Sequence, residues 1–418
     1  MLPLLLAAFA AAPDVFIVSV DTLRADRLGC YGHELPTSPN IDAFAKDALL
    51  FEDCLAEVPL TSPSFGAMLT SRYPRMNGAA RNGLPLPPDV RTITQQFKDA
   101  GYQTVCVTSN WTLKRDLSGL DRGFDHYDDG FKDKRWGFMI GERFGDDVTA
   151  ASLKLIQERD PNKPLFAWFH YSDPHAPYKF HDEFNPAGKA LWKLDEVAAT
   201  RARYDSEVAY TDAEIGKLLA VLPKENAIVL FVADHGESLH EHDYLGHGRR
   251  VYQDNIRVPL IIRGPGVAQG RSKDPVRLID VAPTLLALAG LQPIKDMLGV
   301  DLLRAEIPAD RARVIETYGG AVPSVPGAKA MMAARPPMRQ SVTRGEWKLI
   351  IGGPGPELFN LANDPGELKN RIDEEKNRAA ELRKLIEDWD AKIPKGSAEA
   401  AELDGEDIQA LKSLGYVE

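Results

Sequence analysis

Short, unbroken apolar runs recur along this chain, and several empty into residues with chemistry to offer. Asp14–Val20 reads DVFIVSV and closes in Asp21-Thr22. Thr104–Thr108 and Leu165–Tyr171 are further runs of this kind, and the second leads into Asp173-Pro174-His175-Ala176-Pro177, a rigid loop. Ile228–Val232 stops at Asp234-His235-Gly236. Runs of this length without alternation predict strands buried on both faces. Helical periodicity lies between them. Pro39-Asn40-Ile41-Asp42 opens a helix with Ile41, Phe44, Ala45 and Ala48 on one face, and Tyr204–Leu222 is strongly periodic. Leu60–Leu69 predicts another helix, with Thr61 or Ser62 as its cap and Pro63 in its first turn. Strands and helices alternating over about 300 residues predict an α/β fold, a doubly wound, mostly parallel sheet flanked by helices.

The pattern breaks from Pro308 to about Met338, an Ala/Gly/Pro-rich stretch that reads as a boundary or a long active-site loop. Beyond it, Ser341-Val342 and Trp347–Ile351 predict a hairpin, and Leu358–Leu361 a strand edge. Glu374–Trp389 predicts an amphipathic helix with Ala379, Leu382, Leu385, Ile386 and Trp389 inside. The expected organisation is a catalytic domain over 13–335 and a small α+β subdomain over 336–418. Residues 1–12, MLPLLLAAFAAA, have the apolar core and small-residue end of a signal peptide, without its basic start. They are too few to span a bilayer. The expectation is export to the periplasm or beyond, with a cytoplasmic location if this segment is not a signal.

Composition narrows the function. The net charge of −11 excludes a nucleic-acid surface and sets the overall field against an anionic membrane or substrate, so local groups must attract any anion. Three scattered cysteines, Cys30, Cys54 and Cys106, make no disulfide framework or zinc knuckle. Four of the nine histidines, His235, His240, His242 and His247, crowd into one stretch behind a strand. Parallel sheets place ligand-binding groups at the carboxyl ends of their strands. Asp21, Asp234 and His235 could therefore meet around one divalent cation together with the Thr61 oxygen, at a helix N-terminus that favours an anion. Three oxygens and one imidazole suit Ca, Mg or Mn, with Zn a further option. A cation there would activate the Thr61 hydroxyl, which is unreactive at neutral pH by itself. His175 and His247 sit on loops that could face the same mouth, one to protonate a leaving alkoxide and the other to bind the transferred group. Singly, each has a plainer role as a cap, a loop hydrogen bonder or a structural residue.

At these residues the chain resembles the sulfatase family of the alkaline phosphatase superfamily. The matching segments are VSVDTLRADRLGCYG (18–32), TSPNIDAFA (37–45), PLTSPSFGAMLTSRYP (59–74), GYQTVCVTSN (101–110), HYSDPHAPY (170–178) and VADHGE (232–237). They continue with GHGRRVYQDNIRVPLIIRGPG (246–266), VRLIDVAPTLLALAGL (276–291), WKLI (347–350) and ELFNLANDPGE (357–367). The resemblance implies an alkaline-phosphatase-like mixed sheet with a small carboxyl-terminal sheet and helix. It also implies metal ligands at Asp21, Asp234 and His235, a nucleophile position at Thr61, a leaving-group histidine at His175, and His247 where many relatives place a sulfate-contacting lysine. There are departures. Family sulfatases carry Cys or Ser, oxidised to formylglycine, in a C/S-x-P-x-R motif, where this chain has Thr61 and Phe65. Threonine would oxidise to a ketone, so formylglycine is not expected. Ser109 and Trp111 replace a Lys and a His, Thr22 replaces a second metal-binding Asp, and Ser62 is out of register for a substitute nucleophile.

The leading reading is a metal-dependent hydrolase of small anionic esters, sulfated or phosphorylated, whose organic part the residues leave open, a glycan or lipid headgroup being among the options. A second reading is a one- or two-metal phosphodiesterase or phosphotransferase, with Asp173, His175 and His247 gathered around another ion. A third is a catalytically degenerate anion- or glycan-binding protein. Trp136, Arg143, Tyr178, Trp192 and Arg201 are candidate substrate contacts.

Overall fold

The computed structural model describes residues 12–131, 143–319 and 338–396. Residues 1–11 of the expected signal segment, Trp136 and the chain beyond 396 lie outside the described residues. The large sheet takes in β1 (Asp14–Val20), β2 (Leu49–Leu55), β3 (Gln103–Val107), β4 (His126–Asp128), β5 (Leu165–Tyr171), β6 (Ala227–Ala233), β9 (Arg257–Arg263) and β10 (Gly270–Arg277). A short ribbon, β7 (Ser238–Leu239) with β8 (Leu245–Gly246), stands apart. The small sheet is β11 (Arg313–Thr317), β12 (Arg339–Arg344), β13 (Trp347–Gly352) and β14 (Glu357–Asn360).

Strand order in the large sheet is β10-β2-β9-β6-β1-β5-β3-β4. Every adjacent pair is parallel except those that β9 makes with β2 and β6. The sheet is thus mixed and mostly parallel, as expected. β1, β5 and β6 are buried along their whole length because helices cover both faces, which is why they read as continuous apolar runs. One consequence governs function. β1, β2, β3, β5 and β6 all point the same way, so the loops after them gather along one edge of the sheet.

The helix Thr61–Thr70 follows β2 and is buried at every position. The long helix Glu196–Leu219 begins earlier than its apolar periodicity indicates, capped by Asp195, whose side chain accepts from Ala198 N at 2.8 Å. The small sheet is antiparallel throughout and packs its Val314, Val342, Leu349 and Leu358 against Leu382 and Ile386 of the helix Lys376–Lys392. It draws in β11, which lies upstream of residue 336. Arg75 ties the parts together. Its guanidinium forks onto both Glu316 oxygens at 2.9 and 2.8 Å, reaches Asp390 at 2.6 Å and stacks over Trp389. No described helix is long and apolar enough to cross a membrane, and Cys30, Cys54 and Cys106 are free thiols.

Candidate active site

The residue that follows β1 is Asp21, and the pair that follows β6 is Asp234-His235. These strands are neighbours in register, Val20 beside Ala233, so their next residues emerge side by side. Asp21, Asp234 and His235 are fully buried and offer ligand atoms that all lie within 4.8 Å of one another. Thr61 arrives from the helix after β2. Its Oγ1 lies 3.5 Å from Asp21 Oδ1 and 3.4 Å from His235 Nε2. The four side chains therefore converge from three distant segments, Thr61 lying 40 residues after Asp21 and 174 before His235.

The local structure aims each group. Asp234 Oδ1 accepts backbone N–H from Thr22 at 3.2 Å and from His235 at 2.9 Å, while its Oδ2 is buried without a hydrogen bond. Thr22 holds a left-handed backbone, φ 54°, unusual for a β-branched residue, at the point where the chain turns off β1. His235 Nδ1 faces Gly236 O at 2.9 Å, so that nitrogen carries the proton and Nε2 keeps its lone pair toward Asp21 and Asp234. The Thr61 hydroxyl does not cap its helix. Leu60 is the N-cap and makes no side-chain cap, and Ser62 turns its hydroxyl to Asn82 Oδ1 at 2.9 Å. The expected capping role is thus replaced by contacts to Asp21 and His235.

Electrostatics mark the pair of carboxylates as short of positive charge. Burial opposes ionisation of Asp21, yet His170, His175 and His235 together hold its carboxyl well below the usual range. Burial, and then the charge of Asp21, pushes Asp234 far above it. Burial lowers His235 to about 4 against the pull of Asp21. Two close carboxylates, an orphaned buried oxygen and an imidazole lone pair form a donor set that fits a divalent cation.

His175 and His247 complete the mouth. Their Nε2 atoms are 3.2 Å apart, and each Nδ1 faces a backbone oxygen, Ala176 O at 2.7 Å and Pro59 O at 3.2 Å. Burial first, then neighbouring His235 and His175, drives the His247 pKa well below its ordinary value. The His247 ring lies 4.4 Å from that of His235, centroid to centroid. Asp173 Oδ1 accepts from Gly145 N at 3.0 Å, and among the described residues the group of three candidate ligands lying within 4.8 Å of one another is Asp21, Asp234 and His235.

The expected substrate contacts fare unevenly. Tyr178 donates to Glu237 Oε2 at 2.6 Å, Arg201 bonds Leu239 O and Glu241, and Arg143 pairs with Asp128. Trp192 is 82% exposed. Two buried residues near Asp21 are not among the sequence candidates. Asn110 donates to Asp21 Oδ2 at 2.6 Å, and His170 Nε2 faces the same oxygen at 3.6 Å. Asn110 follows β3 as Asp21 follows β1, so its strand-end position was a usable signal. His170 lies within β5, where nothing in the apolar pattern distinguishes it.

A sulfatase family model matches residues 13–291. An ulvan-active sulfatase from Formosa agariphila is 26% identical over 97% of this chain and 85% of its own. An arylsulfatase from Clostridium perfringens is likewise 26% identical, covering 90% and 93%. A solved structure holding its substrate D-glucosamine-2-N,6-O-disulfate superposes with a TM-score of 0.73 at 22% identity, over 91% of this chain and 98% of that one. The phosphonate monoester hydrolase of Agrobacterium radiobacter gives 0.71 at 21% identity, over 91% and 95%. At these identities the two structures speak for the fold.

Proposed function

This chain belongs to the sulfatase family of sulfate-ester hydrolases, and on that premise we propose that it is an exported enzyme in which Thr61 is the nucleophile, His175 the leaving-group acid, and Asp21, Asp234 and His235 the ligands of one divalent cation. The observation that carries this reading is the position of Thr61 Oγ1, within 3.5 Å of two candidate ligands. A bound cation would supply positive charge against the ester's oxygens and favour the ionised hydroxyl. Asp21 Oδ1 and His235 Nε2 both face the Thr61 hydroxyl and aim its oxygen at the cation position. His175 Nδ1 is tied to Ala176 O, which turns Nε2 toward His247 and leaves it as the atom that gives a proton to the leaving oxygen. The neighbouring His247, with its depressed pKa, leaves the proton between the two rings to His175.

Threonine also favours phosphoryl substrates as a second reading. A formylglycine hydrate expels sulfate through its second hydroxyl, an exit that threonine lacks, whereas a phosphorylated threonine can be released by attack of water at phosphorus. Aryl sulfate, phosphate monoester, diester and phosphonate substrates, each assayed with Mg, Ca, Mn and Zn, decide between the two. Thr61→Ala is expected to lower turnover of the best substrate by on the order of 10⁴-fold while the protein still binds metal. Turnover within about tenfold of wild type would remove Thr61 from the chemistry.

A further inference from the structure

The carboxylate of Asp21 has two unlike sides. Its Oδ1 faces Thr61 Oγ1 at 3.5 Å and His235 Nε2 at 3.7 Å, the side where the proposed cation sits. Its Oδ2 faces Asn110 Nδ2 at 2.6 Å and His170 Nε2 at 3.6 Å. The Asn110 amide cannot turn over freely, because its Oδ1 already accepts from Thr112 N at 2.9 Å and Thr112 Oγ1 at 2.8 Å.

His170 is set by a chain of fully buried partners. The Trp168 indole can only donate, and it gives its N–H to Ser19 Oγ at 2.8 Å. Ser19 lies beside His170 in the β1–β5 register, with Oγ 3.1 Å from His170 Nδ1. Two arrangements exist for a neutral ring. If Nδ1 carried the proton, the Nε2 lone pair would point at a carboxylate in a dry interior, which is repulsive. If the Ser19 hydroxyl donates to Nδ1, the proton sits on Nε2, a buried atom with no closer hydrogen-bond partner, and faces Asp21 Oδ2 at 3.6 Å. Phe65 seals the relay from the helix above, its ring 4.9 Å from Trp168 and 5.0 Å, edge-on, from His170.

We propose that His170 is a positioning residue of the cation site: the Trp168–Ser19–His170 relay fixes an N–H on Nε2 that, with Asn110, engages one oxygen of Asp21 and reserves the other for the cation. This inference rests on the cation reading of the preceding section. Outer partners of this kind orient a ligand and tune its basicity, and their loss typically weakens metal binding 10–100-fold.

The test titrates the full-length protein with Mn²⁺ alone and reads the ring nitrogens of ¹⁵N-histidine-labelled wild type by NMR. His170→Phe keeps a flat ring but removes the N–H, and is expected to weaken Mn²⁺ binding by about 10–100-fold. His170→Gln places an amide N–H near the Nε2 position and is expected to recover most of that loss, which a role in packing alone would not allow. The NMR spectrum is expected to show a proton on Nε2 of His170. Mn²⁺ binding by His170→Phe within about twofold of wild type, or a proton on Nδ1, overturns the proposal. Should His170→Phe fail to fold, Ser19→Ala takes its place. Weaker Mn²⁺ binding by that variant supports the relay, and unchanged binding overturns it. Wild type that takes up no Mn²⁺ overturns the cation reading itself, a result separate from the tautomer measurement.

Discussion

Three imidazoles in the site are anchored by the same device. Nδ1 of His235, His175 and His247 faces the backbone oxygen of Gly236, Ala176 and Pro59 respectively, so all three present Nε2 to a common space. Nothing in residue types foretells this. The sequence shows that histidines are near strand ends, and the tautomer follows only from which carbonyl each loop supplies. A different buried group, Glu57, makes a prediction about stability. It lies between β2 and Thr61, with Oε1 accepting from Ile279 N at 3.4 Å and Oε2 buried without a hydrogen bond. Burial, opposed by Arg277 and aided by Asp280, raises its carboxyl from 4.5 to about 8. The folded chain thus keeps a proton that the unfolded chain has already released. The resulting contribution to stability is whole below pH 4.5 and is lost as pH rises through about 8. Glu57→Gln is expected to flatten the decline in melting temperature between pH 5 and 8. Parallel wild-type and variant curves would show that Glu57 ionises freely.

Among the elements, those that place the site were also those the chain displays most openly. β1, β5 and β6 are apolar throughout because they are buried on both faces, and they deliver Asp21, His175 and Asp234-His235. β2 and β10 were hidden for physical reasons. β2 carries Glu52 and Asp53 mid-strand, paired to Arg271 and Arg313, and β10 is a polar edge strand, GRSKDPVR, half in solvent with Pro275 in it. β9 is apolar, but no pattern of residues announces that it runs antiparallel to its neighbours. The order that brings β3 beside β5, and so Asn110 to Asp21, was equally illegible. Tightness at the turn after β6 yields a prediction. Gly236 N donates to Asn255 O at 2.8 Å, and a Cβ at this position would run into the Asp254 carbonyl. Gly236→Ala must displace either that segment or His235, and is expected to cost about 1–3 kcal/mol and to weaken metal binding. An alanine variant with wild-type melting temperature and metal affinity would show that the turn is slack.

At the scale of the molecule, one edge of the large sheet collects residues from five loops, and the small sheet is fastened beside it through Arg75, Glu316, Asp390 and Trp389. The family resemblance carried the fold and the ester-hydrolase class, and periodicity carried the α/β alternation. The roles of individual residues needed coordinates, because convergence depends on strand order. The account stands on Asp21, Asp234, His235 and Thr61 sharing one cation. The most direct test is a crystal of the wild-type protein soaked in Mn²⁺, with its position taken from anomalous scattering. The expected result is one peak per chain, about 2.0–2.6 Å from oxygens of Asp21 and Asp234 and from His235 Nε2, with Thr61 Oγ1 facing it. A peak bound elsewhere, or none among these four side chains, would contradict the account.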